Sequence, residues 1–260
     1  MLQCCVNGAR PPSSHPELPV TPDEIVSAAV DAVAAGAQDL HVHPKGPDGQ
    51  DTLDPTIAGS VARALRVHLP GVTFGFTTGA WTADRDERLS LVRAWEVVPD
   101  HASVNWHEDG AEELAATLIE RGVGIEAGLW SGTAGIDRFL SSPIRNRVLR
   151  VLIEVRDTDA AAAITSADHL LGRVGHLAPG RILLHGEDGS AWVVLQEAAA
   201  RELSTRVGLE DTLHLPDGSP APDNAALVAA GLAAINRDRP IRPWSSDTPS
   251  ASPWGSSSPS

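Results

Sequence analysis

The chain has 260 residues, of which 42% are hydrophobic and 21% charged, so its composition is that of a globular protein and excludes wholesale disorder. The 20 Lys and Arg residues stand against 34 Asp and Glu, and the resulting net charge of −14 disfavours nucleic acid as a partner. No apolar stretch approaches the roughly 18 residues of a membrane span, and the first ten residues lack the pattern of a signal peptide, so we expect a cytoplasmic protein with no membrane partner.

Eight short apolar segments are the predicted strands, and most of them precede a helical pattern. The first helix should begin after Thr21, which forms a Thr-x-x-Glu capping box with Glu24, and the second after Asp54. A last helix is expected over residues 224–235. The predicted strands cover residues 2–7, 38–43, 72–76, 102–105, 123–128, 149–154, 181–184 and 205–209.

The repeated alternation of strands and helices predicts an α/β fold with a parallel sheet. At this length, closure into a single (β/α)8 TIM barrel over residues 1–237 is the economical architecture, and an open doubly wound sheet is the alternative. No Gly-x-Gly-x-x-Gly segment follows the first strand, so a dinucleotide-binding half has no support. Residues 238–260 are rich in Pro and Ser and predict a flexible, disordered tail.

Two histidines, His41 and His43, end the second predicted strand, where residues i and i+2 share a face. Two imidazoles on one face at the C-terminal end of a strand can chelate a divalent metal, and in a barrel that end forms the active-site face. The alternative is that each His satisfies a local hydrogen bond. The adjacent Cys4 and Cys5 predict neither a disulfide nor a Cys-based metal site, so a metal would need His and carboxylate ligands.

A second group of polar residues follows the last predicted strand. The strand period puts Arg206, Gly208 and Glu210 on one face, and charged side chains inside a barrel need a partner or a task. One interpretation is that these charges neutralise each other, or that Arg206 pairs with Asp211. The other is that Glu210 completes a His₂Glu metal site, Arg206 binds a substrate carboxylate, and Asp211 acts as a base or an orienting group.

Further polar residues lie at the ends of the middle strands. Each one alone is explained by a cap, a turn or a satisfied polar group, but together they suit the rim of an active site. The remaining histidines, His101 among them, show no ligand spacing and are predicted to be surface or capping residues. The rim candidates are Thr77, Thr78, Asn105, Glu126, Glu154 and His185.

An ordered series of motifs then resembles the β-keto acid cleavage enzyme family (3-keto-5-aminohexanoate cleavage enzyme-like). The likeness is strongest over about the first fifty residues and over about residues 205–235. The series comprises Asn7-Gly8-Ala9-Arg10, His15-Pro16-x-Leu18-Pro19-x-Thr21-Pro22-x-Glu24, Ala35-Gly36-Ala37, His41-x-His43, Asp48-Gly49, Arg206-Val207-Gly208-Leu209-Glu210-Asp211, Asn224-Ala225 and Leu227-Val228.

The resemblance implies a (β/α)8 barrel that binds one Zn²⁺ per chain through His41, His43 and Glu210. It implies that Arg206 and Asp211 act in catalysis, and that Thr77 stands where the family has Ser or Thr. Family members condense a β-keto acid with acetyl-CoA and release acetoacetate and a new acyl-CoA, and they are usually homo-oligomers. We therefore expect Arg206, Asp211 and Thr77 to be catalytic, and the substrate to be bound by Thr78, Asn105 and Glu126.

The chain departs from the family pattern after the sixth strand. There Glu154-Val155-Arg156-Asp157 stands in place of a Gly-rich segment, and the chain is shorter through the middle. This departure motivates a second hypothesis, in which a metal-dependent C–C lyase or hydrolase on the same barrel does not use CoA. A third is a non-catalytic binding protein, although a binder has no need of an open Lewis acid site.

Overall fold

The computed structural model describes residues 1–237, in which eight strands alternate with eight α-helices. All eight predicted strands are present, with ends that differ by a few residues. The strands are β1 (Leu2–Cys5), β2 (Asp39–Val42), β3 (Thr73–Phe76), β4 (His101–Asn105), β5 (Gly124–Trp130), β6 (Arg150–Val155), β7 (Ile182–Gly186) and β8 (Thr205–Val207). The helices are α1 (Pro22–Ala34), α2 (Pro55–His68), α3 (Arg85–Arg93), α4 (Ala111–Glu120), α5 (Gly135–Ser141), α6 (Ala160–Val174), α7 (Ala191–Ala200) and α8 (Asn224–Arg237).

The sheet is parallel throughout and runs in the order β7-β6-β5-β4-β3-β2-β1-β8. Its two outer strands meet through a parallel bridge between Leu183 and Ser204, where the Leu184 amide donates to the Ser204 carbonyl at 2.9 Å. The sheet therefore closes on itself. This confirms the predicted (β/α)8 barrel and rules out the open doubly wound sheet. The predicted tail, residues 238–260, lies outside the described residues.

The helix starts follow the predicted capping chemistry. Thr21 Oγ1 accepts the Glu24 amide at 3.3 Å, and Glu24 Oε2 accepts the Thr21 amide at 2.9 Å. Asp54 caps α2 by accepting the amides of Thr56 and Ile57. These caps satisfy backbone donors that a helix start leaves free, so they fix where α1 and α2 begin after the preceding loops.

The alternation along the strands separates an apolar outside from a polar inside. Leu40 and Val42 on β2 are fully buried in the layer between sheet and helices, whereas Asp39 and His41 point into the barrel. No helix within residues 1–237 is long and apolar enough to cross a membrane. Cys4 and Cys5 are both buried free thiols, as expected from their adjacency.

The lower barrel holds a buried ion cluster made of Asp39, His101, Glu126 and Arg150. His101 Nε2 lies 3.0 Å from Asp39 Oδ1, and Arg150 Nε donates to Glu126 Oε1 at 2.6 Å. Arg150 also donates to Asp39, and Gln3 Nε2 donates to both carboxylates at 3.0 Å. Burial opposes the imidazolium, but Glu126 and Asp39 raise the pKa of His101 to about 9.

The placement of His101 as a surface or capping residue is therefore wrong. Its side chain is 2% exposed and faces the barrel interior, on the same side of β4 as Ser103 and Asn105. Asp39, His101 and Glu126 lie close enough together to hold a cation. Arg150 and the His101 imidazolium already balance the two carboxylates, so the cluster is neutral without a metal.

Candidate active site

Three predicted metal ligands converge at the C-terminal end of the barrel. His41 and His43 lie at the end of β2, and Glu210 lies in the loop after β8. The two Nε2 atoms are 3.1 Å apart, and Glu210 Oε2 is 3.8 Å from His41 Nε2 and 3.6 Å from His43 Nε2. Strand period and barrel closure thus bring residues from opposite ends of the sequence to one point.

The donor set fits a divalent metal such as zinc, which binds imidazole nitrogen and carboxylate oxygen. Glu210 Oε2, the oxygen that faces both histidines, is buried and has no hydrogen-bond partner in the described part of the chain. Burial lowers the pKa of His41 to about 4, so its imidazole is neutral and has a lone pair for a ligand. An unpaired buried carboxylate oxygen beside two convergent imidazole nitrogens is what such an ion would satisfy.

The Glu210 side chain contacts Arg206 on one side and Gly8 on the other. Arg206 Nη2 donates to Glu210 Oε1 at 3.0 Å and leaves Oε2 free to face the histidines. Despite burial, Arg206, His43 and His41 lower the pKa of Glu210 to about 2, so the carboxylate is charged. Gly8, at φ +60°, approaches so closely that a Cβ there would lie 2.3 Å from Glu210 Cγ.

Asp211 lies beside this centre and is fully buried. Its Oδ1 accepts from Arg206 Nε at 3.2 Å and lies 3.2 Å from His185 Nδ1, while its Oδ2 has no hydrogen-bond partner within residues 1–237. His185 Nε2 faces Glu154 Oε2 at 3.6 Å. Burial and Arg206 oppose a charge on His185, but Asp211 and Glu154 raise its pKa to about 9. The geometry thus contains the predicted Arg206–Asp211 pair and an Arg206–Glu210 pair as well.

A cavity of about 420 Å³ opens over the three convergent ligands. Burial raises the pKa of Glu187, a carboxyl in its wall, to about 7. Arg156 lies 4.3 Å above the Trp130 ring and pairs with Glu187 at 3.2 Å. The cavity is lined by Ala9, Arg10, Pro11, His41, His43, Thr77, Trp81, Ser103, Asn105, Trp130, Glu154, Arg156, Glu187, Asp188, Arg206 and Glu210.

The predicted substrate-binding residues separate into two groups. Asn105 lines the cavity, as does Thr77, which was expected to be catalytic. Thr78 instead donates to the Ser103 carbonyl at 2.6 Å, and Glu126 belongs to the buried ion cluster below. Neither Thr78 nor Glu126 lines the cavity, so of the two adjacent threonines only Thr77 does.

Sequence reasoning missed several residues of the cavity wall. Trp81 follows β3 in a loop and Trp130 ends β5, so neither belongs to a motif of spaced ligands. Trp81 is 48% exposed, and its indole stacks near His43 with ring centroids 6.1 Å apart. A large exposed aromatic beside a candidate ligand indicates a cavity wall only when the three-dimensional position of its loop is known.

The fold is shared with solved barrel enzymes. ObcA, in a structure described as its ternary complex with a C4-CoA adduct and oxalate, is 17% identical with a TM-score of 0.70, over 85% of this chain and 64% of that chain. A type I 3-dehydroquinate dehydratase from Clostridium difficile is 12% identical with a TM-score of 0.61, over 91% of this chain and 90% of that chain. At these identities the likeness shows the fold alone.

Sequence comparison gives a more specific relationship. A protein of Paraburkholderia graminis named 3,5-dioxohexanoate:acetyl-CoA acetone transferase is 33% identical over 107 residues, which are 40% of this chain. That match spans 34% of the relative, so the chain covers about a third of its length. The profile of the β-keto acid cleavage enzymes matches residues 1–131 and 152–243, which is most of the chain. The chain therefore belongs to the β-keto acid cleavage enzyme family.

Proposed function

We propose that this protein is a zinc-dependent β-keto acid cleavage enzyme that uses acetyl-CoA and releases acetoacetate and a new acyl-CoA. The observation that carries the proposal is the convergence of His41, His43 and Glu210 beside Arg206, in the cavity of a family member. The name of the Paraburkholderia graminis relative, an acetyl-CoA acetone transferase, supports acetyl-CoA as co-substrate.

The exchange swaps two acyl groups between C2 and the thioester sulfur, and it conserves all atoms. The C2–C3 bond of the β-keto acid breaks, C2 joins the carbonyl carbon of the acetyl group, and the thioester sulfur passes to the released acyl group. Negative charge develops on the keto oxygen and on C2 during this exchange. A zinc ion held by His41, His43 and Glu210 would supply a Lewis acid for that charge.

We assign roles to three of the chain's own residues from their positions. Arg206 is the cation in the cavity wall nearest the ligand cluster, and we assign it the substrate carboxylate. Asp211 Oδ2 has no hydrogen-bond partner among the described residues. We assign it the C2 proton, which it takes up before C2 joins the acetyl carbon and returns to C2 after the C2–C3 bond breaks. Thr77 lines the cavity and orients the substrate with a hydroxyl group.

The test is a product assay by mass spectrometry on a panel of β-keto acids, with and without acetyl-CoA. The proposal predicts acetoacetate and a new acyl-CoA in equal amounts, and no turnover without acetyl-CoA. Unchanged turnover without acetyl-CoA, with a free carboxylic acid as product, would refute the proposed reaction.

That second outcome corresponds to a metal-dependent C–C lyase or hydrolase, which one feature of the cavity favours. Glu154, Glu187 and Asp188 line the cavity wall, and the cations Arg10 and Arg156 are already paired with Asp188 and Glu187. These acids would repel the phosphates of CoA unless Arg10 and Arg156 left their acidic partners and paired with the phosphates instead. Cytoplasmic location and homo-oligomer formation stay predictions.

A further inference from the structure

The candidate ligand His43 has a carboxylate partner outside the cavity. Asp51 lies in the loop between β2 and α2, and its side chain is 2% exposed. His43 Nδ1 lies 2.7 Å from Asp51 Oδ2, which is the distance of a charge-assisted hydrogen bond. Asp51 belongs to none of the motifs that the sequence singles out.

This contact determines which nitrogen of His43 is free. Because a carboxylate only accepts, Nδ1 must carry the proton that His43 donates to Asp51. When the ring is neutral, its lone pair is then on Nε2, the atom that faces His41 and Glu210. Partners of this kind fix the tautomer and orientation of metal-binding histidines and raise their basicity.

The Asp51 carboxylate is itself held in place by two further donors. Lys45 Nζ donates to Asp51 Oδ1 at 2.7 Å and to the Gly8 carbonyl at 2.8 Å. Trp81 Nε1 donates to Asp51 Oδ2 at 2.8 Å, and its ring lies nearly parallel to that of His43, at 17°. With His43, three side chains therefore hold a carboxylate that is almost entirely shielded from water.

The backbone of the same loop points Asp51 back towards His43. Lys45 and Asp51 form an isolated antiparallel bridge, and the Gly46 amide donates to the Gln50 carbonyl at 2.8 Å. The Thr52 amide closes the loop on the Pro44 carbonyl at 2.9 Å. This tight turn brings Asp51, eight residues after His43, back beside His43. The backbone of the loop therefore fixes the position of the carboxylate.

His41 has no comparable support. Its Nδ1 has no hydrogen-bond partner in the described region. The carboxylate oxygen that faces Nδ1, Glu126 Oε2, is 4.0 Å from it. The two candidate ligands are thus held unequally. Only His43 is pre-oriented by a short hydrogen bond to a charged group.

We propose that Asp51, supported by Lys45 and Trp81, is a positioning residue that orients His43 and sets the metal affinity of the centre. The inference rests on the metal site of the proposed function but not on the reaction. Outer partners of metal ligands typically contribute roughly 10- to 100-fold to metal affinity. Loss of the Asp51 charge should therefore weaken zinc binding without removing a ligand.

The test compares Asp51→Asn with Asp48→Asn by competition for zinc against a chromophoric chelator. Asp48 is an exposed acid in the same loop whose Oδ1 accepts only the Gln50 amide among the described residues, so its variant is a matched control. We expect Asp51→Asn to bind zinc roughly 10- to 100-fold more weakly, and Asp48→Asn to bind as the wild type does. The visible spectrum of the Co²⁺-substituted protein should change with Asp51→Asn alone.

Equal zinc affinity in Asp51→Asn and the wild type would overturn the role of Asp51 and leave the proposed function intact. A wild-type protein that takes up no zinc would overturn both. If Asp51→Asn does not fold, a measurement on the wild type alone still tests the inference. Long-range ¹H–¹⁵N correlation of the zinc-loaded protein should show His43 protonated at Nδ1, and ligation through Nδ1 would contradict the inference.

Discussion

At the scale of single residues, Glu210 and Asp211 are neighbours with different contacts. Glu210 faces the two histidines with one oxygen and Arg206 with the other. Asp211 instead contacts Arg206 and His185 with its Oδ1. In the proposed function, the two adjacent carboxylates therefore have separate roles: Glu210 holds the metal and Asp211 handles the proton.

This separation predicts the behaviour of Asp211→Asn. The amide keeps the shape of the side chain but cannot take up the transferred proton, so turnover should fall by roughly 10²- to 10⁴-fold. Zinc content should stay that of the wild type, because Asp211 is not among the three convergent ligands. Metal analysis and steady-state kinetics on one preparation check both parts. Full activity, or loss of zinc, would contradict the assigned role.

At the scale of elements, the strands and the ligand motif followed from the sequence, and the loops did not. The alternation of side chains around His41 and His43 predicts which face of β2 each residue lies on, because successive side chains of a strand point to opposite faces. Asp51 and Trp81 gave no such signal, since their positions depend on how two loops fold over β2. His101 was missed for another reason: its partners Asp39 and Glu126 lie on other strands, and a lone histidine in the sequence does not reveal them.

The loop after β1 contains Gly8, and we expect its substitution to weaken zinc binding. Gly8 is at φ +60°, and an added Cβ would meet Glu210 Cγ at 2.3 Å, so Gly8→Ala must displace the Glu210 side chain. Zinc affinity should fall by roughly tenfold or more, comparable to the loss of an outer partner of a ligand. Chelator competition measures the change.

Gly71→Ala is the matched control for backbone strain. Gly71 is at φ +87°, and an added Cβ would meet no described atom within 4 Å. Both variants should lose about 1–2 kcal/mol of folding free energy through left-handed strain, but Gly71→Ala should bind zinc as the wild type does. Equal zinc affinity in the two variants would show that Gly8 does not shape the position of Glu210.

At the scale of the whole molecule, the barrel joins two buried polar systems. The ion cluster of Asp39, His101, Glu126 and Arg150 fills the lower interior, and the candidate metal centre lies above it. Glu126 is the nearest link between them, 4.0 Å from His41 Nδ1. Closure of the barrel was predictable from strand–helix alternation, whereas this buried cluster depends on residues contributed by four different strands.

The cluster makes stability depend on pH. The pKa of His101 is raised to about 9 in the folded protein, from 6.5 for an ordinary histidine. Its stabilising charge is therefore fully present below about pH 6.5 and is lost as the pH rises through 9. The free energy of unfolding of the wild type should fall over this window by an amount on the order of a few kcal/mol.

His101→Gln tests this assignment, because Gln can donate a hydrogen bond but carries no charge. The variant should be less stable than the wild type at pH 7, and the difference should shrink towards pH 10. The pKa of His185 is also raised to about 9, and that of His43 is raised too, so both contribute to the pH dependence that remains in the variant. Urea unfolding at several pH values measures the difference, and a gap independent of pH would contradict a charged His101.

The most direct measurement is the zinc content of the purified wild type beside that of His41→Ala. Our expectation is about one zinc ion per wild-type chain, as for a His₂Glu catalytic site, and its loss when one of the convergent imidazoles is removed. A wild type that contains no zinc and takes none up, or a His41→Ala variant that retains a full equivalent, would contradict it.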